Sequence, residues 1–148
     1  MSHSSAEHET ALDTVIVTAP AGSFRGLVAD GVRSWRGIPF AVDPTGDLRW
    51  RDPVSAPVVE GEVDALRFGP VCPQKPNPAV PLGDGAVMDE GCLTLNVWTP
   101  HATSTTLRPV MVWVHGGAYT FGSSSQPLFD ATSLVTNGDV VVVTINYR

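Results

Sequence analysis

Five consecutive apolar residues, Val110 to Val114, run directly into the turn sequence H-G-G-A-Y at residues 115–119. An unbroken apolar run of this length predicts a strand buried on both faces, as in a parallel sheet covered by helices. Two adjacent glycines allow backbone dihedral angles that a side chain forbids, and they let the backbone approach a ligand closely. The pattern predicts an α/β sheet whose carboxyl end presents backbone N–H groups, which can hold a developing negative charge.

The pair Gly116-Gly117 has two other interpretations. The first is a tight turn without any chemical role. The second is a loop that cradles phosphate, but neither the G-x-G-x-x-G spacing nor a G-K-[ST] ending is present. The preceding His115, the aromatic Tyr119 and the apolar strand favour a loop that binds an oxyanion over a simple turn.

Four segments of the chain resemble the type-B carboxylesterases, the group of α/β-hydrolases that includes the cholinesterases. The first is the H-G-G-A-Y loop, which is similar to the oxyanion loop of lipases and esterases. The others are Arg36 to Ala41 with Leu48 to Trp50, Glu90 to Trp98, and Thr144 to Arg148. They follow the family's order with similar spacing, from about Val15 to the last residue. The resemblance implies the N-terminal part of an α/β-hydrolase, with a small antiparallel β-meander before the first strands of a mixed central sheet.

This resemblance also implies roles within the loop. The backbone N–H groups of Gly117 and Ala118 would bind the oxyanion, with a third donor from the residue after a nucleophilic serine. Tyr119 would line the acyl or alcohol pocket, while His115 and Gly116 would shape the turn. Hydrolysis of a carboxylic ester through an acyl-enzyme requires no metal or organic cofactor, and we expect none.

Two further pairs receive roles only through the resemblance. Arg49 would form a buried ion pair with Glu90 and tie two loops together, and Cys72 would form a disulfide with Cys92 that closes a surface loop. The residues alone leave open a solvated arginine and two separate thiols. Where the family has an aspartate, this chain has Gly91, and this departure puts the anchoring of the closed loop in question.

Turn residues and alternating patterns predict the N-terminal elements. A hairpin is expected over Asp13 to Val28, followed by a third strand over Val32 to Arg36, and these strands should form a small antiparallel sheet before the main one. Gly37 to Pro57 should be loop because of its prolines. We expect its large apolar side chains to pack against the domain; they are Ile38, Phe40, Leu48 and Trp50.

Further along the chain, the alternation in Leu93 to Thr99 predicts a strand. A short helix should begin at the N-cap Asp130 and stop at Gly138, with an apolar stripe formed by Ala131, Leu134 and Val135. Val140 to Ile145 predicts a second buried strand. Two buried strands joined across a short helix favour a right-handed parallel connection.

Bulk properties exclude several classes of function. The net charge of −6 and the pI near 5.0 argue against a nucleic-acid partner, which needs a basic face. No apolar run is long enough to span a membrane. Residues 1–12 predict a disordered tail. The tail lacks the features of a signal peptide, so the cytoplasm is favoured over export. Residues 13–148 form the expected hydrolase portion.

The chain contains no G-x-S-x-G nucleophile motif. In α/β-hydrolases the serine, acid and histidine all follow the oxyanion loop. We therefore expect the N-terminal fragment of a serine carboxylesterase, acting on small-molecule esters but inactive alone. The alternatives are a cholinesterase-like binding or adhesion module that has lost its serine, and an inactive truncated reading frame. The sequence after Arg148 would distinguish them.

Overall fold

The computed structural model describes residues 12–83 and 85–148. The tail predicted for residues 1–12 therefore lies outside the described residues except for Leu12, which is exposed. Strands β1 (Thr14–Ala19), β2 (Gly22–Ala29) and β3 (Val32–Pro39) form an antiparallel meander. Thr14 pairs with Leu27 and Ala19 with Gly22, so the predicted hairpin is present.

Two neighbours share one edge of β2. The strand pairs with β3 over Leu27 to Ala29, and with the short parallel strand β4 (Glu62–Asp64) over Ser23 to Arg25. The opposite edge of β2 is occupied by β1 along the whole hairpin. A three-residue strand such as β4 has no sequence signal of its own, which is why it was not predicted.

The meander is continuous with the rest of the sheet, in contrast to the separate small sheet that we expected. β3 pairs antiparallel with β5 (Thr94–Pro100), with an irregularity in register between Trp35 and Ile38. The second edge of β3 is therefore used for pairing, which joins both parts into one sheet. Among the described residues this sheet has the order β1-β2-β3-β5-β7-β6, with β4 beside β2.

The remaining strands give the sheet its mixed character. β5 pairs antiparallel with β7 (Val141–Ile145), and β7 pairs parallel with β6 (Val110–Val114). The predicted parallel arrangement of the two apolar strands is confirmed, with Val110 opposite Val141 and Val114 opposite Ile145. The carboxyl ends of β6 and β7 consequently lie next to each other on the same side of the sheet.

Helix α1 (Thr132–Gly138) connects β6 to β7, and both of its ends differ from the prediction. Asp130 is not the N-cap, although its carboxylate accepts a hydrogen bond from Thr132 N at 3.0 Å. The residue with left-handed dihedral angles after the helix is Asp139, with φ 49°, while Gly138 belongs to the helix. A neighbouring polar residue has thus taken the conformation that glycine usually takes.

Helix α1 packs against one face of the sheet, and the contact forms the main apolar core. The buried members of this core are Val32, Trp98, Ala131, Val135 and Val142. Leu134, which we placed in the apolar stripe of the helix, is largely exposed. A second buried cluster of Phe24, Trp35 and Ala65 lies within the meander. No helix among the described residues is long and apolar enough to cross a membrane.

The prediction that Val110 to Val114 is buried on both faces is wrong for this structure. All five residues of β6 are exposed, with exposed fractions of 46–60%. Within residues 12–83 and 85–148, β6 lies at the edge of the sheet with β7 as its one hydrogen-bonded neighbour. The contact of Trp113 with Phe129, with ring centroids 5.3 Å apart, gives it little cover. The inner strand β7 buries Val142 and Thr144.

The segment Gly37 to Pro57 is mostly loop, as predicted, but not all of its large side chains are packed. Ala41 is buried and bridges to Ser55, which fixes the path of the loop. Trp50 is 92% exposed and Phe40 is also exposed, so the expectation of packing fails for both. Trp50 has a φ of 63° and borders a cleft, so its ring faces open space rather than the core.

Candidate active site

The loop that follows β6 turns around one carbonyl group. Thr120 N and Phe121 N both donate to the carbonyl oxygen of Gly117, at 2.9 and 3.2 Å, and Thr120 Oγ1 donates to the same oxygen at 3.0 Å. Three successive residues have positive φ: Gly117 at 120°, Ala118 at 50° and Tyr119 at 60°. Such angles are unfavourable for alanine and tyrosine, so the surrounding contacts must hold this turn.

The two glycines of the turn have different roles. A Cβ atom on Gly117 would overlap the carbonyl oxygen of Phe121, and its φ lies in the region that favours glycine. A Cβ atom on Gly116 would meet nothing within 4 Å, and its φ is not positive. The structure therefore requires glycine at position 117 and permits a side chain at position 116, a distinction that the sequence pattern did not provide.

Two neighbouring backbone donors remain available in this loop. The N–H groups of Gly117 and Ala118 donate no hydrogen bond to any residue in ranges 12–83 and 85–148. Ala118 is exposed and Gly117 is half-buried. Two adjacent donors at the carboxyl end of a parallel strand can together bind the oxygen atom of a ligand.

His115 begins the loop and is buried. Its Nδ1 atom lies 2.8 Å from the carbonyl oxygen of Gly116, so the tautomer with hydrogen on Nδ1 can donate to it. The imidazole stacks on the ring of Tyr147 with centroids 4.5 Å apart and 20° between planes, and the Tyr147 hydroxyl donates to the His115 carbonyl oxygen at 2.9 Å. Tyr147, two residues after the end of β7, thus holds the start of the loop.

Side-chain amides hold the segment that follows the loop. The backbone N–H groups of Gly122, Ser123 and Ser124 donate in turn to three side-chain amide oxygens: Gln74 Oε1 at 2.7 Å, Gln126 Oε1 at 3.2 Å and Asn146 Oδ1 at 2.9 Å. The sequence analysis missed all three amides. No local pattern marks Gln74 as a partner of a glycine 48 residues away.

Asn96 connects this segment to the sheet. Its buried side chain donates to Thr144 Oγ1 at 2.9 Å and to Ser124 Oγ at 3.2 Å, and it accepts from Gly37 N at 2.9 Å. Asn146 completes the connection, because its amide nitrogen donates to the Pro70 carbonyl oxygen at 3.0 Å. A satisfied buried polar network of this kind fixes one arrangement of the loops it joins.

The cysteine pair forms a disulfide. The Cα atoms of Cys72 and Cys92 are 5.1 Å apart, within the usual range, and the bond closes the surface loop between them. The guanidinium of Arg49 contacts the carboxylate of Glu90, two residues before Cys92. Both side chains of this ion pair are exposed to solvent, so it is not the buried pair that we expected. An exposed pair contributes little stability, roughly 0–1 kcal/mol.

Gly91, where we noted a departure from the family pattern, packs against Asp43. A Cβ atom at position 91 would lie 2.9 Å from Asp43 Oδ1 and 3.0 Å from its Cγ. The Gly91 N–H donates to Asp89 Oδ1 at 2.7 Å. The place of the side chain is therefore taken by a carboxylate from another loop, and glycine fits this place because it adds no second group.

A cleft of about 650 Å³ brings these features together. The lining includes the disulfide, the Arg49–Glu90 pair, His115 and Tyr119. The Tyr119 side chain is 93% exposed, and its ring lies 6.2 Å from that of Tyr147. The volume is in the range of small-molecule sites. Among the described residues no group of three or more His, Cys, Asp or Glu side chains is arranged to hold a metal ion.

The parallel pair β6–β7, with a Gly-rich loop at its carboxyl end and an antiparallel meander on the other side of β5, is the N-terminal part of the α/β-hydrolase fold. The sequence profile of the carboxylesterase family matches residues 13–148. The chain belongs to this family.

Several relatives of this chain are named as esterases. It is 42% identical to para-nitrobenzyl esterase of Bacillus subtilis over 135 residues and 44% identical to acetylcholinesterase-1 of Trittame loki over 143 residues. Each match covers 90% of this chain but only 27% and 26% of the relative. A solved structure of a thermophilic PNB esterase superposes with a TM-score of 0.83 at 43% identity, covering 90% of this chain and 28% of that one. The chain thus spans about a quarter of its relatives' length.

Proposed function

We propose that this chain carries the oxyanion-binding loop of a serine carboxylesterase. The observation that supports the proposal is the pair of backbone N–H groups at Gly117 and Ala118, which have no partner in the described residues and are held in an unfavourable turn beside a cleft. Positive φ at two successive non-glycine residues is energetically costly, and such strain is concentrated at functional sites, which supports a chemical role for this turn. The adjacent donors are suited to an oxygen that gains negative charge during a reaction.

In the proposed reaction a serine Oγ attacks the ester carbonyl carbon while a histidine takes the serine proton. The carbonyl oxygen becomes an oxyanion and accepts hydrogen bonds from Gly117 N and Ala118 N, with a third donor next to the serine. The C–O bond to the alcohol breaks, and the alcohol leaves with the proton from the histidine. Water then attacks the acyl-enzyme by the same steps and releases the carboxylic acid.

The remaining site residues frame this reaction without taking part in it. Tyr119 would line the acyl or alcohol pocket, consistent with its exposure at the cleft. His115 would orient the turn through Gly116, since its imidazole is buried and stacked rather than open to substrate. The disulfide and the Arg49–Glu90 pair would hold other parts of the cleft lining. The substrate would be a small-molecule ester, without a cofactor.

We place the nucleophile and its base outside these residues, because no G-x-S-x-G motif is present. The purified 148-residue chain should then hydrolyse p-nitrophenyl acetate no faster than an inert protein at equal concentration, while the whole protein that contains this chain should turn the ester over. A serine-directed phosphonate should abolish the turnover.

If the isolated chain hydrolyses the ester and the phosphonate blocks this hydrolysis, the nucleophile lies within these residues and the placement is contradicted. A folded whole protein without hydrolysis of esters of differing acyl length would contradict the proposed activity. That result would favour the binding-module alternative.

A further inference from the structure

We propose that Gln74 is a positioning residue for the oxyanion-binding loop, an inference that rests on the proposed function. Its side-chain amide occupies both backbone polar groups of Gly122: Nε2 donates to the carbonyl oxygen at 2.9 Å, and Oε1 accepts from the N–H at 2.7 Å. Such a two-point contact fixes orientation as well as distance. Nothing in the local sequence around either residue indicates it.

Gly122 is the point at which the loop closes on itself. It is buried, its φ is 113°, and a Cβ atom there would lie 2.6 Å from His115 Nδ1 and 2.7 Å from the Gly116 carbonyl oxygen. The backbone of Gly122 therefore packs against the first two residues of the loop. A group that fixes the position of Gly122 therefore restricts the movement of both ends of the turn that carries Gly117 N and Ala118 N.

Gln74 is suited to this task because the segment that carries it is itself fixed. It lies two residues after Cys72, which is bonded to the fully buried Cys92. Gln74 Nε2 also donates to the Cys72 carbonyl oxygen at 3.0 Å, which limits the rotamers of the side chain. The disulfide-closed loop and the oxyanion loop are thereby joined through one amide.

The chemical consequence follows from the accuracy that an oxyanion site needs. Its donors must lie about 2.7–3.1 Å from the oxyanion, and a displacement of about 1 Å can reduce the rate about 10²-fold. Gln126 and Asn146 hold Ser123 and Ser124, which are farther along the chain from Ala118. Of the three amides, Gln74 therefore contacts the residue that is closest in sequence to the turn. It acts through Gly122 rather than on the ester.

Gln74→Glu in the whole protein separates positioning from packing. A carboxylate can still accept from Gly122 N but cannot donate to the Gly122 carbonyl oxygen, whereas the protonated carboxyl can do both. At about pH 8 we expect kcat to fall about tenfold to hundredfold, with KM for p-nitrophenyl acetate changing less than about threefold. The kcat ratio of Q74E to the unsubstituted protein should rise as the pH falls toward the ordinary glutamate pKa of about 4.3.

Taking the ratio of the two kcat values at each pH cancels the effects of titratable groups that Q74E and the unsubstituted protein have in common. The same cleft contains the ionisable side chains of Arg49, Arg51, Asp52, Glu90, His115, Tyr119, Tyr147 and Arg148. Gln74→Met keeps the length without either hydrogen bond, so its loss of kcat should show no such pH dependence. Lys75→Ala, at the exposed neighbouring residue, should retain the unsubstituted kcat.

Amide hydrogen exchange supplies a measurement that does not need ester hydrolysis. In Gln74→Met, exchange in the peptide covering residues 115–122 should accelerate at least about tenfold, while peptides from β1 and β2 stay unchanged. If the whole protein hydrolyses no ester, the proposed function fails, and exchange still decides the role of Gln74. Unchanged exchange in residues 115–122 overturns the inference. A loss of kcat in Q74E that is the same at every pH and matched by Gln74→Met also overturns it.

Discussion

A Cβ atom on Gly117 would occupy the place of the Phe121 carbonyl oxygen, so the turn can form only with glycine at this position. Gly117→Ala should therefore displace Phe121 and the donor at Ala118. We expect the whole protein to lose about 10²-fold in kcat on p-nitrophenyl acetate, by displacement of the donors. Steady-state kinetics beside circular dichroism would measure this.

Gly116→Ala is the matched control, since the same methyl group would meet nothing within 4 Å. Its loss of kcat should be smaller than that of Gly117→Ala by about tenfold or more. Equal losses in the two variants would show that the close approach of Gly117 to Phe121 is not what shapes the turn.

Ala118→Pro removes one of the two proposed oxyanion donors. Because Ala118 has a φ of 50° and proline is restricted to about −65°, the substitution must also change the turn. Loss of a single donor reduces kcat about 10²–10³-fold, and we expect at least this loss with the fold largely retained. Ala118→Gly keeps the N–H and favours the positive φ, so it should stay within about tenfold of the original kcat. Full turnover by a folded Ala118→Pro variant would place the oxyanion site elsewhere.

Gly91→Asp introduces the aspartate that the resemblance led us to expect at this position, yet we expect it to destabilise this protein. The introduced side chain would enter the space of the exposed Asp43 carboxylate, which must turn away, so we expect a small destabilisation of about 0.5 kcal/mol from this contact. Two adjacent carboxylates also repel when both are ionised, so this part of the destabilisation exists near neutral pH and disappears in acid, where carboxyl groups are protonated. Urea denaturation at several pH values would measure it.

Gly91→Asn has nearly the same shape without the charge and separates the two effects. Its destabilisation should be smaller near neutral pH and should vary less with pH than that of Gly91→Asp. A Gly91→Asp variant as stable as the original chain would show that the Asp43 carboxylate moves away at no cost.

The exposed strand β6 predicts self-association of the isolated chain. An apolar edge strand presents unpaired backbone groups and apolar faces together, which favours pairing with another chain. The chain alone should bind a hydrophobic dye and form oligomers in sedimentation velocity. Val112→Lys places a charge in the centre of the strand and should reduce the oligomer fraction severalfold.

Leu107→Lys is the control for added charge, because Leu107 is fully exposed but lies before the strand. It should leave the oligomer fraction nearly unchanged. An equal reduction by both substitutions would indicate a general effect of charge rather than association through β6.

Patterns within short segments determined most of the strand positions. The hairpin of β1 and β2, and the parallel pair β6–β7, follow from alternation, apolar runs and turn residues that are local in sequence. Boundaries were less accurate, as at Asp130 and Asp139, because the ends of a helix depend on which of several neighbouring polar residues makes the capping contact. The H-G-G-A-Y loop likewise pointed to backbone donors through its residue types alone.

Contacts between residues far apart in the chain could be decided only by the tertiary structure. The apolar run at β6 predicts burial, but among the described residues β6 lies at the edge of the sheet and is exposed, since burial depends on neighbours that a local pattern does not contain. The same reason applies to Gln74, whose partner Gly122 is 48 residues away, and to Gly91, whose space is filled by Asp43. The residue types of the loop predicted which backbone groups act as donors, and the packing of distant loops decided what holds the loop in place.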